Sequence, residues 1–75
     1  MENLSSLNNG TVGTIVAIDG DAHFQSRITS IGLTVGSHIE VIQNEKKQPV
    51  LLYNRDTMVA INKKECEKIL VEVAK

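Results

Sequence analysis

The stretch Phe24–Gly36, FQSRITSIGLTVG, places the strongest constraint on what this chain can become. Phe24, Ile28 and Ile31 recur at i, i+4 and i+7, a narrow apolar stripe on a short helix. Gly32 follows the last stripe residue, at the point where a helix ends most cheaply in the left-handed conformation. Leu33 then stands where a Schellman-type cap folds an apolar side chain back onto the last turn. Gly36 offers a second reversal before a β-like run opens at His38. Helix, glycine stop, apolar residue, tight turn, strand: this is a corner, and the strands on either side must close over it.

Upstream, Leu4, Leu7, Gly10 and Gly13 are spaced at threes among serines and asparagines, which predicts a turn that tucks two leucines under the first strand. That strand is Val12–Ile18 (VGTIVAI), rich in β-branched residues and apolar on both faces. Its small residues Gly13 and Ala17 predict close approach by a neighbouring element. Asp19-Gly20-Asp21 stops it, and Asp21 is placed to N-cap the helix. Downstream, His38–Gln43 alternates as a half-buried strand, and Asn44–Gln48 is a polar hairpin loop. Pro49, lacking a donor, must open the next strand or lie on an edge. Val50–Tyr53 follows, then a short turn at Asn54-Arg55-Asp56, then Thr57–Ile61. Asn62 caps a single helical or 3₁₀ turn through Cys66, and Ile69–Val73 is a fifth strand with Ile69, Val71 and Val73 on one face. The prediction is an all-β domain over residues 1–75: a small barrel of about five strands, with one short α-helix between the first and second. The first and last strands are expected to pair or close the edges.

Composition narrows the function classes. A chain of 75 residues buries only roughly 60% of its unfolded surface and has no room for a second core. The lone cysteine, Cys66, excludes an internal disulfide framework and fits a reducing compartment. MENLSSLNNG carries neither a basic segment nor an apolar core, so no signal peptide is expected, and no apolar run approaches the ~20 residues of a membrane span. Eight basic and nine acidic residues give a net charge of −1, with no one-sign block longer than a pair. That balance supplies no electrostatic footprint for nucleic acid. A cytoplasmic protein is expected.

The whole pattern resembles a known family. Leu4-x-x-Leu7-x-x-Gly10-x-x-Gly13-x-Ile15 leads into Arg27-Ile28-x-x-Ile31-Gly32-Leu33-x-x-Gly36, followed by Ile39-x-Val41, Pro49, Val59-Ala60-Ile61 and Ile69-x-Val71. From Leu4 to about Val73 this is similar to the FeoA family, small cytoplasmic SH3-like barrels of bacterial ferrous-iron uptake. Arg27-Ile28 and Ile31-Gly32 stand where the family usually has Arg-Leu and Leu-Gly, changes that keep apolar volume nearly constant. Asn54-Arg55-Asp56 replaces a glycine-containing turn, and Cys66 fills a slot commonly held by alanine. The resemblance implies an SH3-like barrel that acts on FeoB, a membrane iron transporter with a cytoplasmic GTPase domain, and implies no catalysis. Related SH3-like domains in iron-dependent repressors make a metal-responsive sensor the alternative.

The residues themselves set out no catalytic constellation: the serines lack an elbow context, the histidines have no motif neighbours, and GTVG and GDAH are not phosphate loops. His23, His38 and Cys66 are competent metal ligands but are scattered, with no CxxC, HxxxH or HxH. They predict no dedicated metal or cofactor, only weak surface binding of a divalent ion, and Cys66 is expected as a small buried hydrophobe. Arg27 lies roughly 60° around the helix from the apolar stripe, so its guanidinium can clamp a backbone carbonyl or meet a partner. Two surfaces are candidates for a protein partner. One is the corner around Arg27, Leu33, Thr34 and Val35; the other is the apolar strand surface around Leu52, Tyr53 and Met58, which also suits weak self-association. Lys63, Lys64 and Lys68, interleaved with Glu65 and Glu67, are expected to form a solvated face.

Overall fold

The β-branched runs become strands, with one addition at the N-terminus. The computed structural model describes residues 1–74. The elements are β1 (Glu2–Asn3), a 3₁₀ turn (Leu4–Ser6), β2 (Val12–Ile18), α1 (Ala22–Ser30), β3 (His38–Gln43), β4 (Val50–Asn54), β5 (Thr57–Ile61), α2 (Lys63–Cys66) and β6 (Ile69–Val73). They make one six-stranded sheet in the order β1-β6-β2-β3-β4-β5, antiparallel throughout. The end strands β1 and β5 do not pair, so the sheet is not closed. The expected five-strand barrel with sealed edges is therefore a six-stranded open sheet, and the helix falls between the second and third strands. The extra strand is two polar residues long and carries no periodicity. It forms because Glu2 and Asn3 align with Val71 and Leu70, while Asn3 Nδ2 donates to the Glu67 carbonyl at 2.6 Å.

Two bulges set which side chains face inward. In β2 the register shifts between Ile15, opposite Val71, and Ala17, opposite Leu70. The extra residue turns both Ile15 and Ile18 toward the core, where strict alternation would separate them. A second shift between Val41 and Gln43 leaves Ile42 as the odd residue of β3. Gly13 is required by proximity: a Cβ there would lie 2.6 Å from Val71 Cγ1 and 2.7 Å from the Glu72 carbonyl oxygen. The core gathers Leu4, Leu7, Ile15, Ile28, Leu33, Val41, Leu52, Ile61, Cys66, Ile69 and Val71, all nearly or wholly excluded from solvent.

The corner is built as its sequence dictates, with one change. The Asp21 carboxylate accepts from the Phe24 N–H at 2.8 Å and starts α1. At the other end Gly32 has φ +98°, and the N–H groups of Gly32 and Leu33 bond to the carbonyls of Thr29 (2.9 Å) and Ile28 (3.2 Å). That pair of bonds is the Schellman arrangement, and it carries Leu33 wholly into the core. Leu33 thus covers the last turn as its position after Gly32 predicts, while Ile31, expected as the last residue of the apolar stripe, does not join the core. Ile31 becomes the C-cap and is 37% exposed. The chain then reverses through Thr34–Ser37, and Gly36 N–H donates to the Ile15 carbonyl while Ile15 N–H donates to Ser37.

Three tethers hold α1 and its C-terminal turn to α2, to Lys68 after it and to the end of β4. Lys68 Nζ lies 4.8 Å from the centre of the Phe24 ring, Arg27 pairs with Glu65 of α2, and the Asn54 amide donates to the Gly32 carbonyl at 2.8 Å. The β4–β5 hairpin beside it turns on two residues, Arg55 and Asp56, both at positive φ, the two-residue loop that suits strand twist.

A Cβ on Gly32 would meet only Asn54 Nδ2, at 3.9 Å, so substitution there is penalised by backbone conformation and not by space. Gly32→Val is expected to lower unfolding free energy by more than ~1 kcal/mol, and Leu33→Ala by about 2–5 kcal/mol, in denaturant titrations. A Gly32→Val midpoint equal to that of the parent would show that the helix does not end in this way.

Candidate functional site

The structure divides the residues singled out in the sequence into exposed and buried sets. At the corner, Thr34 and Val35 are exposed, Val35 by 62%, and Ile31 joins them as an exposed apolar residue. Leu33 is fully buried and leaves the surface set, because the cap that shapes the corner draws it inward. The Ser37 hydroxyl accepts from the Thr34 N–H at 3.0 Å, so the segment is fixed at both of its ends. An apolar pair on a hydrogen-bonded frame loses little conformational freedom when it docks.

Arg27 is a clamp, but not on a backbone carbonyl. Its two terminal nitrogens donate to the two carboxylate oxygens of Glu65, NH2 to Oε1 at 2.6 Å and NH1 to Oε2. The fork-to-fork pair joins α1 to α2. Its arginine side chain remains 51% exposed and its glutamate side chain 18%. Glu65 is therefore no member of a merely solvated face, and Lys68 is likewise engaged over Phe24. Spacing along the sequence does not reveal either contact, since Arg27 and Glu65 are 38 residues apart.

On the outer side of the sheet, Tyr53 and Met58 face each other across β4 and β5 and are 40% and 54% exposed. Leu52, grouped with them from the sequence, is fully buried opposite Val59. Neighbours along a strand point to opposite faces, so Leu52 and Tyr53 cannot share a surface. Glu40 lies opposite Tyr53 and Val12 opposite Glu40, which extends the outer row over four strands. A shallow groove of about 360 Å³ runs between Val12, His38, Glu40, Tyr53, Arg55 and Asp56.

His23 is exposed on α1, and His38 Nδ1 lies 3.1 Å from the Thr14 hydroxyl at the start of β3. Cys66 is buried, with its thiol 3.6 Å from the Ile61 carbonyl. Burial pushes the Cys66 thiol from 9.0 up to about 12, against the opposing pull of Lys63. Among the described residues, no three His, Cys, Asp or Glu side chains gather into a set that could hold a metal ion, and no helix is long and apolar enough to cross a membrane.

A small antiparallel sheet with one α-helix, and exposed apolar residues set on a glycine-capped corner, defines an SH3-like domain. A family model described as FeoA domain matches residues 2–73, and the chain belongs to that family, which is associated with ferrous iron transport. A crystal structure of an iron uptake regulatory protein (FeoA) superposes with a TM-score of 0.93 at 26% identity, covering 97% of each chain. FeoA from Stenotrophomonas maltophilia, solved in complex with zinc, matches with a TM-score of 0.78 and 19% identity over 96% of this chain and 91% of that one. A manganese-dependent transcriptional repressor shares the fold at a TM-score of 0.89 and 19% identity, over 97% of this chain but 41% of its own. Sequence comparison with curated proteins gives no match.

Two measurements check this geometry. A double-mutant cycle on Arg27→Ala and Glu65→Ala is expected to give a coupling of about 0.5–1 kcal/mol that shrinks as salt is added, and zero coupling would mean that the pair does not hold α1 to α2. The Cys66 thiol should resist disulfide reagents at pH 8 in the native state and react only on unfolding. Because its folded pKa is raised, its contribution to stability is complete below pH 9 and is lost as pH rises toward about 12. Rapid labelling of the native protein at pH 8 would contradict the burial.

Proposed function

We propose that this protein is a non-enzymatic accessory protein of bacterial ferrous-iron uptake. It binds the cytoplasmic GTPase domain of a FeoB-like transporter and acts on the cytoplasmic side of the membrane. The observation that carries this reading is the FeoA domain match over residues 2–73. The contact surface is the corner: Ile31, Thr34 and Val35 stand exposed on a segment tied to Ile15, Ser37 and Asn54, with the half-exposed Arg27 guanidinium beside them. A small apolar patch on a rigid frame, with Arg27 of the same helix held in its ion pair with Glu65, suits a specific, reversible encounter. The outer row at Tyr53 and Met58 is flatter and serves weak self-association.

Titration calorimetry with the isolated GTPase domain of the transporter tests the assignment. Val35→Glu is expected to weaken binding about tenfold or more while leaving the unfolding midpoint unchanged, since placing a charge in an apolar contact desolvates it. Met58→Glu is expected to alter gel-filtration behaviour and leave that binding intact. Wild-type affinity in Val35→Glu would transfer the contact to the outer row.

A further inference from the structure

The sequence shows no one-sign block longer than a pair, yet the fold brings two such pairs together. Lys46-Lys47 lies in the β3–β4 loop and Lys63-Lys64 opens α2. Val50 and Ile61 are paired across β4 and β5, which draws the residues before the first and after the second to one end of the hairpin. Lys47, Lys63 and Lys64 line one groove there with Gln48, Pro49 and Asn62, and no carboxylate shares the lining. Lys46 is the next residue in the same loop, and it follows Glu45, whose backbone carbonyl accepts from the Gln48 N–H. Of the nearby acids, Glu65 is already engaged by Arg27. Four of the eight basic residues are thus gathered at one pole, with Glu45 beside Lys46 in the loop and Glu65 of α2 paired with Arg27.

We infer that this lysine pole is an electrostatic docking surface for an anionic lipid bilayer. The composition of the pole favours a bilayer over other anions. It holds ammonium groups and no arginine, so it offers mobile point charges and not the planar forks that read a fixed carboxylate or phosphate pair. It has no aromatic residue on which a base could stack, which disfavours nucleic acid. A fluid surface of anionic headgroups needs neither, and each lysine held near it contributes independently. The surface would hold the protein at the membrane plane in one orientation, and this inference does not depend on the identity of the transporter partner.

Vesicle co-sedimentation of the full chain tests it, with phosphatidylcholine vesicles set against vesicles that also contain phosphatidylglycerol. Binding is expected to the anionic vesicles only, to fall steeply with added salt, and to weaken about fivefold for each lysine removed, so that Lys47→Gln/Lys64→Gln binds at least tenfold less. Arg55→Glu removes the same net charge at the opposite end of the β4–β5 hairpin and is expected to retain most of the binding. Circular dichroism confirms the fold of each variant. Equal recovery on both vesicle types would overturn the proposal. So would an Arg55→Glu loss equal to that of the double variant, because net charge alone would then account for the effect. Binding to poly-glutamate or duplex DNA that exceeds binding to anionic vesicles would also overturn it, in favour of an acidic protein or nucleic acid at this pole.

Discussion

The bond from the Leu33 N–H to the Ile28 carbonyl does more than end a helix. With Gly32 held at positive φ, it sends the next side chain back beneath α1 and into the core. The reversal has two consequences. The helix is pinned over the sheet by the residue that follows it, and Ile31, the last apolar residue of its stripe, is turned outward. The buried Asn54 amide reinforces the arrangement by donating to the Gly32 carbonyl, so the end of the helix and the β4–β5 hairpin are held as one piece. A sheet whose end strands do not meet needs some such strap, since β1 is two residues long and cannot close it.

How much of this is legible in the sequence depends on whether the signal is local. Asp21 as a cap, Gly32 as a stop, Asn62 as the start of α2 and the bounds of β2, β3, β5 and β6 are dictated by neighbours in the chain, and they can be read there. Five features are not read from sequence pattern alone. β1 carries no apolar pattern and exists through pairing with β6. Ile31 has the period of a core residue and loses its place to Leu33, a competition decided by the cap. Leu52 and Tyr53 both look apolar, and only the register opposite Val59 and Met58 shows which one faces outward. The carboxylate that receives Arg27 comes from a segment 38 residues away, and so does the assembly of two lysine pairs into one groove depend on the hairpin between them. Periodicity indicates that a side chain is apolar or charged; contact across the fold decides what it meets.

Seen as a surface, the molecule has three separate regions that serve different chemistry. The corner offers a small apolar patch on a hydrogen-bonded frame. The outer row from Val12 to Met58 offers a flatter apolar face interrupted by Glu40. The lysine pole offers diffuse positive charge. On the proposed reading, these regions let a FeoA-family domain be held in place against a larger partner. The rigidity of the corner is what separates a specific contact from a merely sticky one, since a loop that had to be ordered on binding would lose much of its affinity to that ordering.

That rigidity is open to direct measurement by native-state amide hydrogen exchange. If the corner is locked by its cap and tethers, the amides of Leu33 and Gly36, bonded to Ile28 and Ile15, should exchange only through global unfolding, with the same free energy and denaturant dependence as the amide of Ile15 in β2. Exchange of Leu33 and Gly36 through a local opening that leaves Ile15 protected would contradict the account, because the corner would then be a mobile loop resting on the sheet and not a fixed part of it.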